Sequence, residues 1–551
     1  MNKWWKSGAP WIWLHGGAVS ISIIMVFGLL LLILVRGFSH FWPHPVAQIT
    51  YTLPGSAPIE VIGELRRSET LTGQLMREAG APIPEEQLFV TRHLFKLGNR
   101  DVTGRDFTFF IDDFLGEWRY PRDITVLERR EWGDFLGQPV RLLENNRPLN
   151  LAADELWPEF RRRLERSTAL VDDIRHIERN VIGRINHQLE RVRLDRRRAE
   201  LRDRLTPELE QQLIERREQL EAHYAELRHE LDDLYAQSRR DTIVMRVAGG
   251  DEVDIRLDQI VKAWQPNAMS VFAKLGFYGK DFLDFIFGYP REANTEGGIF
   301  PAIFGTVVMV LVMSIIVTPF GVLAAIYLRE YAKQGTLLKA IRISVYNLAG
   351  VPSIVFGVFG LGFFVYFLGG SIDRALFPEA LPAPTFGTPG LFWASLTLAL
   401  LTLPVVIVST EEGLARIPST IRQGSLALGA TKSETLWKVV VPLATPAMMT
   451  GLILAIARAA GEVAPLMLVG VVKLAPTLPI DGNFPFLHLE RKIMHLGFHI
   501  YDVGFQSPHA EAAEQLVYAT ALILVLLIVA LNLTAIQIRN RLREKYRAEG
   551  D

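Results

Sequence analysis

One segment of the sequence is the best indicator of how this chain folds. It runs from Glu411 to Pro465 and reads EEGLARIPSTIRQGSLALGATKSETLWKVVVPLATPAMMTGLILAIARAAGEVAP. Its first half carries charges of both signs and has helical periodicity. Its second half is an apolar span that contains two ionisable residues, Arg458 and Glu462. A polar helical segment between two apolar spans indicates a docking element rather than a simple connector. We therefore interpret the rest of the chain as membrane spans and one large polar insert arranged around this segment.

The composition is that of a membrane protein whose hydrophobic residues are segregated. The 551 residues are 49% hydrophobic but also 22% charged, and the mean hydropathy is +0.18. Neither a soluble enzyme nor a pure membrane bundle has that average. The formal net charge of −1 argues against a nucleic-acid partner, which needs a basic surface. The absence of cysteine excludes disulfides and thiolate metal sites but assigns no redox compartment.

Six apolar segments are long enough to cross a bilayer, which takes about 20 residues. Alternate loops and the tail from Arg539 are rich in Lys and Arg, so the positive-inside rule places both termini in the cytoplasm and the insert outside. We interpret the first segment as an uncleaved anchor with Lys3 and Lys6 inside, and a cleaved signal peptide is the alternative. The predicted spans are Gly17–Val35, Ile299–Leu328, Val345–Leu368, Leu391–Val408, Pro442–Val472 and Leu516–Ile536.

The polar insert begins and ends with sequence that is typical of β-strands. Turn signals separate the early runs, and the last two runs flank Gly249-Gly250-Asp251, which predicts a β-hairpin. The predicted strands are Pro58–Leu65, Phe107–Phe114, Ile124–Leu127, Thr242–Val247 and Val253–Leu257.

A charged helical block lies between these strands, from about Ala152 to Arg240. Leucines repeat every seven residues with charged flanks, which predicts a coiled coil. Thr206 and Pro207 suit the cap and first position of a second helix, so we expect an antiparallel hairpin. The hairpin either packs only on itself or contacts a partner at its tip, and both alternatives fit the pattern. The predicted seam contains Leu213, Leu220, Tyr224, Leu227, Leu231 and Leu234.

From Gln423 onward the spacing resembles the EAA loop of ABC importer permeases. The family pattern is E-A-A-x-x-x-G, nine residues and I-x-L-P, and here it is Q-G-S-x-x-x-G, nine residues and V-x-V-P. The resemblance implies a short helix that sits in a groove of a separate ATPase dimer. An ordinary amphipathic connector between two spans is the alternative. The predicted coupling residues are Gln423, Gly424, Ser425, Gly429, Ala430 and Pro442, of which Gly429 and Pro442 match the family pattern and Gln423 replaces its Glu.

The chain contains no G-x-x-x-x-G-K-[ST] motif, and the run from Gly429 to Ser433 lacks the glycines that cradle a phosphate. We therefore predict a transporter subunit that is not itself an enzyme and binds no cofactor, with ATP hydrolysed by the partner. His495 and His499 are four residues apart, but without a third ligand nearby we interpret them as surface or packing residues and predict no metal site.

Several further strings narrow the resemblance to PstA-type phosphate permeases. They include NLAGVPSIVFGVFGL (Asn347–Leu361) and ARAAGEVAPLML (Ala457–Leu468), and the likeness covers Gly297 to about Ile538. It implies a phosphate importer in the bacterial inner membrane, completed by a second, PstC-like permease and a periplasmic phosphate-binding protein.

The expected fold class is thus an all-α polytopic membrane protein of the ABC importer permease type, with a large extracytoplasmic α+β insert. We predict three parts along the chain. Residues 1–39 form the cytoplasmic tip and first span, 40–291 the periplasmic insert with its coiled-coil hairpin at about 152–240, and 292–551 the permease domain with the EAA-like loop at 411–442 and a cytoplasmic tail.

Arg458 and Glu462 are candidates for the substrate pathway. At a spacing of four they would share one face of a helix, and ionisable groups within a span usually point into the bundle or a watery path. The forked guanidinium of an arginine suits a passing phosphate, with Glu462 holding that arginine in place, while a purely structural ion pair is the alternative.

Ser353 is a secondary pathway candidate. The glycines near it are predicted to pack against a second permease subunit: Gly350, Gly357, Gly360 and Gly362.

Two other functions fit part of the sequence. The EAA-like loop alone would suit a permease for another oxyanion, such as sulfate or molybdate. A membrane-anchored signalling or envelope-spacing protein would instead use the coiled coil as its working part.

Overall fold

The computed structural model describes residues 7–291, 294, 296–506 and 510–548. It forms two compact units. The membrane unit comprises Met1–His40, Ile286–Pro290 and Ile299–Asp551, and the insert unit comprises Phe41–Phe285 and Arg291–Gly298. Lys3 and Lys6, which are predicted to lie in the cytoplasm, are outside the described residues.

Within the described residues, six helices are long and apolar enough to cross a membrane, as predicted. Their bounds are Pro10–Ser39, Phe300–Tyr331, Ser353–Leu376, Leu391–Ala415, Lys432–Gly461 and Glu514–Leu542. In terms of helices, the first span is α1 (Ala9–Ser39), the second is α8 (Phe300–Ile326), the third is α10 (Ser353–Phe359) with α11 (Gly370–Leu376), the fourth is α12 (Leu391–Ala415), the fifth is α15 (Val441–Gly461) with its preceding turns, and the sixth lies in α18 (Ala510–Ala548).

Two predicted span boundaries were wrong. The fifth span does not continue to Val472 but ends at Gly461 and is followed by the short helix α16 (Leu466–Val469). The third span begins at Ser353 because a separate helix, α9 (Thr336–Leu348), precedes it. Each break lies four residues before a proline, Pro465 or Pro352. A proline ring clashes with the carbonyl four residues earlier and has no N–H to donate. Pro319, Pro404 and Pro446 lie inside unbroken helices, so proline alone does not end a span, and at both breaks a glycine also lies within two residues of the helix end. Hydropathy alone does not register either effect.

The fourth span, α12, lies at the centre of the membrane unit. It packs on α8 and α15 through a buried apolar cluster that includes Met309, Leu398 and Ala455. Glycines allow the helices to approach closely: a Cβ on Gly321 would lie 2.6 Å from Val406, and one on Gly451 would lie 2.7 Å from Ser409. These contacts explain why small residues recur along the apolar spans.

The prediction that the glycines of the third span face a second subunit was wrong for two of them. A Cβ on Gly357 would lie 2.6 Å from Cα of Pro465, and one on Gly360 would meet the hydroxyl of Thr397 in the same chain. A Cβ on Gly350 would lie near only the Asn347 carbonyl of the same turn, at 3.4 Å, and a Cβ on Gly362 would have no described atom within 4 Å. Internal packing against the break after the fifth span and against the fourth span therefore accounts for Gly357 and Gly360.

The insert unit contains two antiparallel sheets. The first has the order β1-β2-β3-β4 and the second the order β10-β5-β6-β8-β9, with β7 paired to β6. The predicted hairpin is confirmed, since Val244 pairs with Asp254 across β8 and β9. The strands are β1 (Val46–Tyr51), β2 (Ile59–Thr72), β3 (Phe89–Lys96), β4 (Phe107–Ile111), β5 (Thr125–Arg129), β6 (Asp134–Glu144), β7 (Arg147–Pro148), β8 (Asp241–Arg246), β9 (Glu252–Arg256) and β10 (Ile260–Trp264), followed by the short pair β11 (Pro290–Arg291) and β12 (Glu296–Gly297).

The helical block emerges between β7 and β8. Its helices are α4 (Ala153–His176), α5 (Gly183–Leu201) and α6 (Pro207–Ser238), with a π-helical turn at Ile177–Ile182 joining the first two. Thr206 caps α6 as predicted, because its side chain accepts a hydrogen bond from the Leu209 amide at 3.2 Å. The remaining helices of the unit are α2 (Gly73–Glu78), α3 (Arg100–Thr103) and α7 (Val271–Phe287).

The arms pack antiparallel. Arg216 donates to Gln188 at 3.0 Å and Arg196 pairs with Glu210 at 2.8 Å. Leu220, Leu227 and Leu231 are buried against isoleucines of the opposite arm. Tyr224, a predicted seam residue, is instead 37% exposed. In the first arm, the π-helical turn adds one residue, so the seven-residue repeat of that arm changes phase at the turn.

Candidate functional site: the coupling loop and transport pathway

The predicted coupling helix is α13 (Ser419–Ala427), and it ends in a tight reversal. Gly429 has φ +89°, a left-handed conformation that favours glycine. Its amide donates to the Leu426 carbonyl at 3.0 Å, and the Ala430 amide donates to the Ser425 carbonyl at 3.3 Å. The glycine of the Q-G-S-x-x-x-G pattern is therefore required by the turn itself.

A capping box starts the next helix, α14 (Lys432–Thr435). The Thr431 amide donates to Glu434 Oε2 at 3.0 Å, and the Glu434 amide donates to Thr431 Oγ1 at 3.2 Å. The hydroxyls of Ser425 and Thr435 lie 2.8 Å apart and link α13 to this helix. Ser425 is thus a residue that closes the loop rather than one that faces outward.

Two residues that the sequence interpretation missed hold the loop to the second span. Arg422 donates to Glu330 Oε1 at 2.9 Å and to the carbonyls of Leu414 and Ile417 at 2.8 Å. Lys432 donates to the Glu330 carbonyl at 2.7 Å. Glu330 and Arg422 are 92 residues apart, so the sequence offers no local signal for this ion pair beyond the position of Arg422 next to Gln423.

The outer side of the loop is exposed and partly apolar. Gln423 and Gly424 are exposed, and Leu428 at the tip has 91% of its surface exposed. Ile421, Leu426 and Trp437 add further apolar surface. A cavity of about 340 Å³ is lined by Ser425, Leu428, Gly429, Ala430, Glu434, Lys438 and Val439. Exposed apolar groups with a rigid backbone are typical of a protein-binding element.

Pro442 is the second residue of α15, directly after a π-helical turn, and it removes one backbone N–H from the helix at this point. A short π-helical turn, Leu436–Val440, connects α14 to α15. The loop and the fifth span are therefore continuous helical structure. A second ion pair, from Arg342 in α9 to Glu411 in α12 at 2.6 Å, reinforces this side of the bundle.

The predicted pathway pair is present, but not on one continuous helix face. Arg458 lies in the last turn of α15 and Glu462 lies beyond its end, in an extended conformation. Arg458 Nε and Glu462 Oε1 are nevertheless 3.5 Å apart, and both side chains are partly exposed. A cation in the last turn also interacts favourably with the helix dipole. Ser353 is half-buried at the start of α10.

The segment between the fifth and sixth spans carries a charge cluster. His488 contacts Asp481 and Glu490 through its two ring nitrogens at 3.0 and 3.1 Å, and Arg491 donates to Asp481 at 2.7 Å. Although burial opposes ionisation, the Asn483 amide, Arg491 and His488 lower the pKa of Asp481 to about 2. The cluster fixes the loop that follows the break at Pro465.

His495 and His499 are buried packing residues of the short helix α17 (Leu496–Tyr501). His495 Nδ1 accepts a hydrogen bond from the Gly497 amide at 3.1 Å. Burial lowers the pKa of each histidine to about 4, with Asp502 and Lys473 adding opposed, smaller effects at His499. Among the described residues, no group of three His, Cys, Asp or Glu side chains is arranged to hold a metal ion.

Comparisons with known proteins place this architecture in a family. The family model described as "Binding-protein-dependent transport system inner membrane component" matches residues 317–547. The phosphate transport system permease protein PstA of Mycobacterium leprae is 37% identical over 226 residues, which cover 40% of this chain and 68% of that protein. PstA 1 of Mycobacterium tuberculosis is 34% identical (44% and 71% covered), and PstA of Yersinia pestis is 32% identical (45% and 74% covered).

An inward-facing structure of the MetNI methionine ABC transporter aligns with 44% of this chain and 94% of the other chain at 17% identity, but the TM-score of 0.32 is too low to support a structural conclusion. The sequence matches are decisive, and the family model covers the braced loop and the chain from the middle of the second span onward. The chain belongs to the PstA-type permeases, the inner-membrane components of binding-protein-dependent phosphate transport systems.

Proposed function

We propose that this chain couples ATP hydrolysis by a separate cytoplasmic ATPase dimer to the movement of inorganic phosphate across the bacterial inner membrane. A periplasmic phosphate-binding protein would deliver the anion, and a second, PstC-like permease would complete the pathway. The observation that carries this proposal is the exposed, braced loop around Gly429 in a bundle of the PstA family. The chain itself would be a transporter subunit and not an enzyme.

The rigidity of the loop supports a mechanical role. The Glu330–Arg422 ion pair, the Ser425–Thr435 hydrogen bond and the capping box connect α13 to the second and fifth spans. An element fixed at several points moves as a body, so a displacement of α13 by the ATPase would be passed to the spans. Gln423, Gly424 and Leu428, which are exposed, would contact that partner.

Arg458 is the proposed anion contact in the pathway. Its guanidinium is partly exposed and offers several donors in a fork that matches a phosphate. Glu462 would orient this fork and, as a nearby negative charge, weaken anion binding enough for release. The structural alternative is that the pair stabilises the end of α15. Ser353 remains a secondary candidate.

The proposed topology has both termini in the cytoplasm and the insert unit in the periplasm. It rests on the positive charges of the loops that contain Lys339, Arg422 and Arg539. This orientation puts the coupling loop on the side where ATP is available.

The test is uptake by proteoliposomes that contain the chain, its copurified ATPase and permease partners and the binding protein. We expect ATP-dependent uptake of radiolabelled phosphate, with sulfate taken up far less. Arg458→Lys keeps the charge but loses the fork, and should reduce phosphate uptake while assembly and basal ATPase activity are retained. Uptake of sulfate in preference to phosphate would refute the substrate, and unchanged kinetics of Arg458→Lys would refute its direct contact.

A further inference from the structure

We propose that α7 (Val271–Phe287) is an interfacial helix whose outer face inserts into the boundary between lipid headgroups and acyl chains at the extracytoplasmic surface. Two observations support this inference. Among the described residues, one face of α7 is apolar and has no packing partner, and the other face packs against Phe41, which lies two residues after the end of the first span.

The inner face of α7 is fixed to the insert unit. Phe41 is almost fully buried and contacts Phe282 and Phe285 at ring-centroid distances of 5.3 and 5.2 Å. Phe277 packs on Trp264 at 5.0 Å. Asp281 forms an ion pair with Lys262. This side of the helix therefore has its partners within the unit.

The opposite face is apolar and exposed. Phe272 has 85% of its surface exposed and Leu283 has 54%, and Leu275 is exposed as well. A Cβ placed on Gly276 or Gly279, which lie on the same face, would meet no atom within 4 Å. Large apolar side chains aligned at helical spacing on an exposed face, opposite the face that packs on protein, are typical of helices that lie in a membrane interface.

Chain connectivity limits how far α7 can lie from the bilayer. Phe41 lies two residues after Ser39, where the first span ends, and the second span begins at Phe300, thirteen residues after α7 ends. A helix attached to the membrane at both of these points cannot lie far from it. The bilayer is consequently the apolar surface that α7 can reach with the least displacement, and we commit to lipid as the occupant.

The charges at the rim argue that burial of apolar groups, and not attraction to anionic lipid, holds the helix. Lys280 and Asp284 are exposed and of opposite sign, and Asp281 is already neutralised by Lys262. A lipid-binding helix that depends on anionic headgroups needs an excess of Lys and Arg on its polar face. We therefore expect binding that does not depend on the charge of the lipid.

The chain has no cysteine, so single-cysteine variants can carry a nitroxide without further changes. Phe272→Cys and Leu283→Cys probe the apolar face, and Asp284→Cys is the matched control on the same helix. The full-length chain is placed in nanodiscs of phosphatidylcholine, with and without phosphatidylglycerol. Collision rates with oxygen, which partitions into lipid, and with a water-soluble nickel chelate are then measured by electron paramagnetic resonance.

We expect oxygen collisions to exceed nickel collisions at positions 272 and 283 and the order to reverse at position 284, in both lipid mixtures. Nickel access at 272 and 283 would overturn the proposal, because the face would then lie in water. Protection from both reagents would overturn it in favour of a protein contact. The measurement does not involve transport, so it stands or falls independently of the phosphate assignment.

Discussion

Gly429 determines whether the coupling loop can close. Its φ of +89° is strained for any residue with a Cβ, although the surrounding space is open. Gly429→Ala should therefore destabilise the turn by about 1 kcal/mol or more through the backbone alone. We expect faster hydrogen exchange across α13 and α14 and weaker coupling of ATPase activity to transport.

Gly424→Ala is the matched control. Gly424 lies inside α13, and a Cβ there would also meet no atom within 4 Å. Because alanine favours the helix by about 1 kcal/mol over glycine, this variant should exchange more slowly than the native loop. Equal exchange in both variants would contradict a turn-specific role for Gly429. A transport defect in Gly424→Ala despite slower exchange would locate the ATPase contact at this surface.

The buried histidines predict an effect of pH on the segment around α17. Their pKa values are about 4 in the folded chain against the usual 6.5. Between pH 4 and 6.5 the unfolded segment therefore binds more protons than the folded segment. The stability of the folded segment is complete above pH 6.5 and falls as the pH drops towards 4. One pKa unit corresponds to about 1.4 kcal/mol, so hydrogen exchange of residues 495–506 should be clearly faster at pH 5 than at pH 7.5 after correction for intrinsic rates.

The double variant His495→Asn, His499→Leu is the comparison chain. Asparagine can still cap α17 in place of His495 Nδ1, and leucine removes a buried imidazole whose nitrogens have no hydrogen-bond partner among the described residues. Protection in this chain should depend much less on pH. His488 is unchanged in both chains, so an equal pH dependence would mean that other groups are responsible.

At the scale of residues, the sequence predicted what local geometry dictates. The spacing of Gly429 and the Thr206 cap follow from conformational preferences of single residues and their neighbours. The Glu330–Arg422 brace and the Gly357–Pro465 contact join residues that are far apart along the chain. Only the packing of the bundle brings them together, and one sequence contains no signal for that.

At the scale of elements, the helical hairpin can be shortened without exposing its core. Arg216 and Gln188 already join the two arms by a side-chain hydrogen bond. The fully buried residues of the core, which include Ile174, Ile185 and Leu227, all lie below that point, and only the partly buried Leu189 and Val192 pack against them from above it. Replacing residues 189–215 with a short glycine-rich turn should therefore leave the thermal midpoint of the full chain almost unchanged.

The same shortened chain should retain ATP-dependent uptake, because the coupling loop and the matched family region lie in the membrane unit. Leu227→Ala serves as the contrasting variant: it opens a cavity in the hairpin core and should cost about 2–5 kcal/mol in the insert unit. Loss of uptake in the shortened chain with its fold intact would instead assign the tip to a partner.

Element types were predicted better than element ends. Apolar length indicated all six spans, and alternation indicated the β8–β9 hairpin. The breaks at Pro352 and Pro465 were missed because hydropathy continues across them. The π-helical turn at Ile177–Ile182 adds a residue to the first arm, and Tyr224 in the second arm is exposed; the heptad pattern indicated neither. Periodicity averages over such local changes.

At the scale of the whole molecule, the chain joins a family-typical transport bundle to an insert unit that begins one residue after His40 and returns to the bundle before α8. Composition predicted this division, since the charged residues concentrate between the first two spans. It could not predict the two sheets or their strand order. The strands β6 and β8, for example, pair with each other although the whole helical hairpin lies between them along the chain, and composition carries no information on such distant pairing.

The orientation of the whole chain is the assumption on which the coupling mechanism depends, and the cysteine-free sequence allows a direct test. Leu428→Cys marks the tip of the coupling loop and Asp254→Cys marks β9 of the insert unit, and both positions are exposed. With a membrane-impermeant thiol reagent, Asp254→Cys should react in spheroplasts and Leu428→Cys only in inverted vesicles, because the positive loops stay inside. Labelling of Leu428→Cys in intact spheroplasts would place the loop outside the cytoplasm. A cytoplasmic ATPase could then not contact α13, and ATP hydrolysis could not move the spans through this loop.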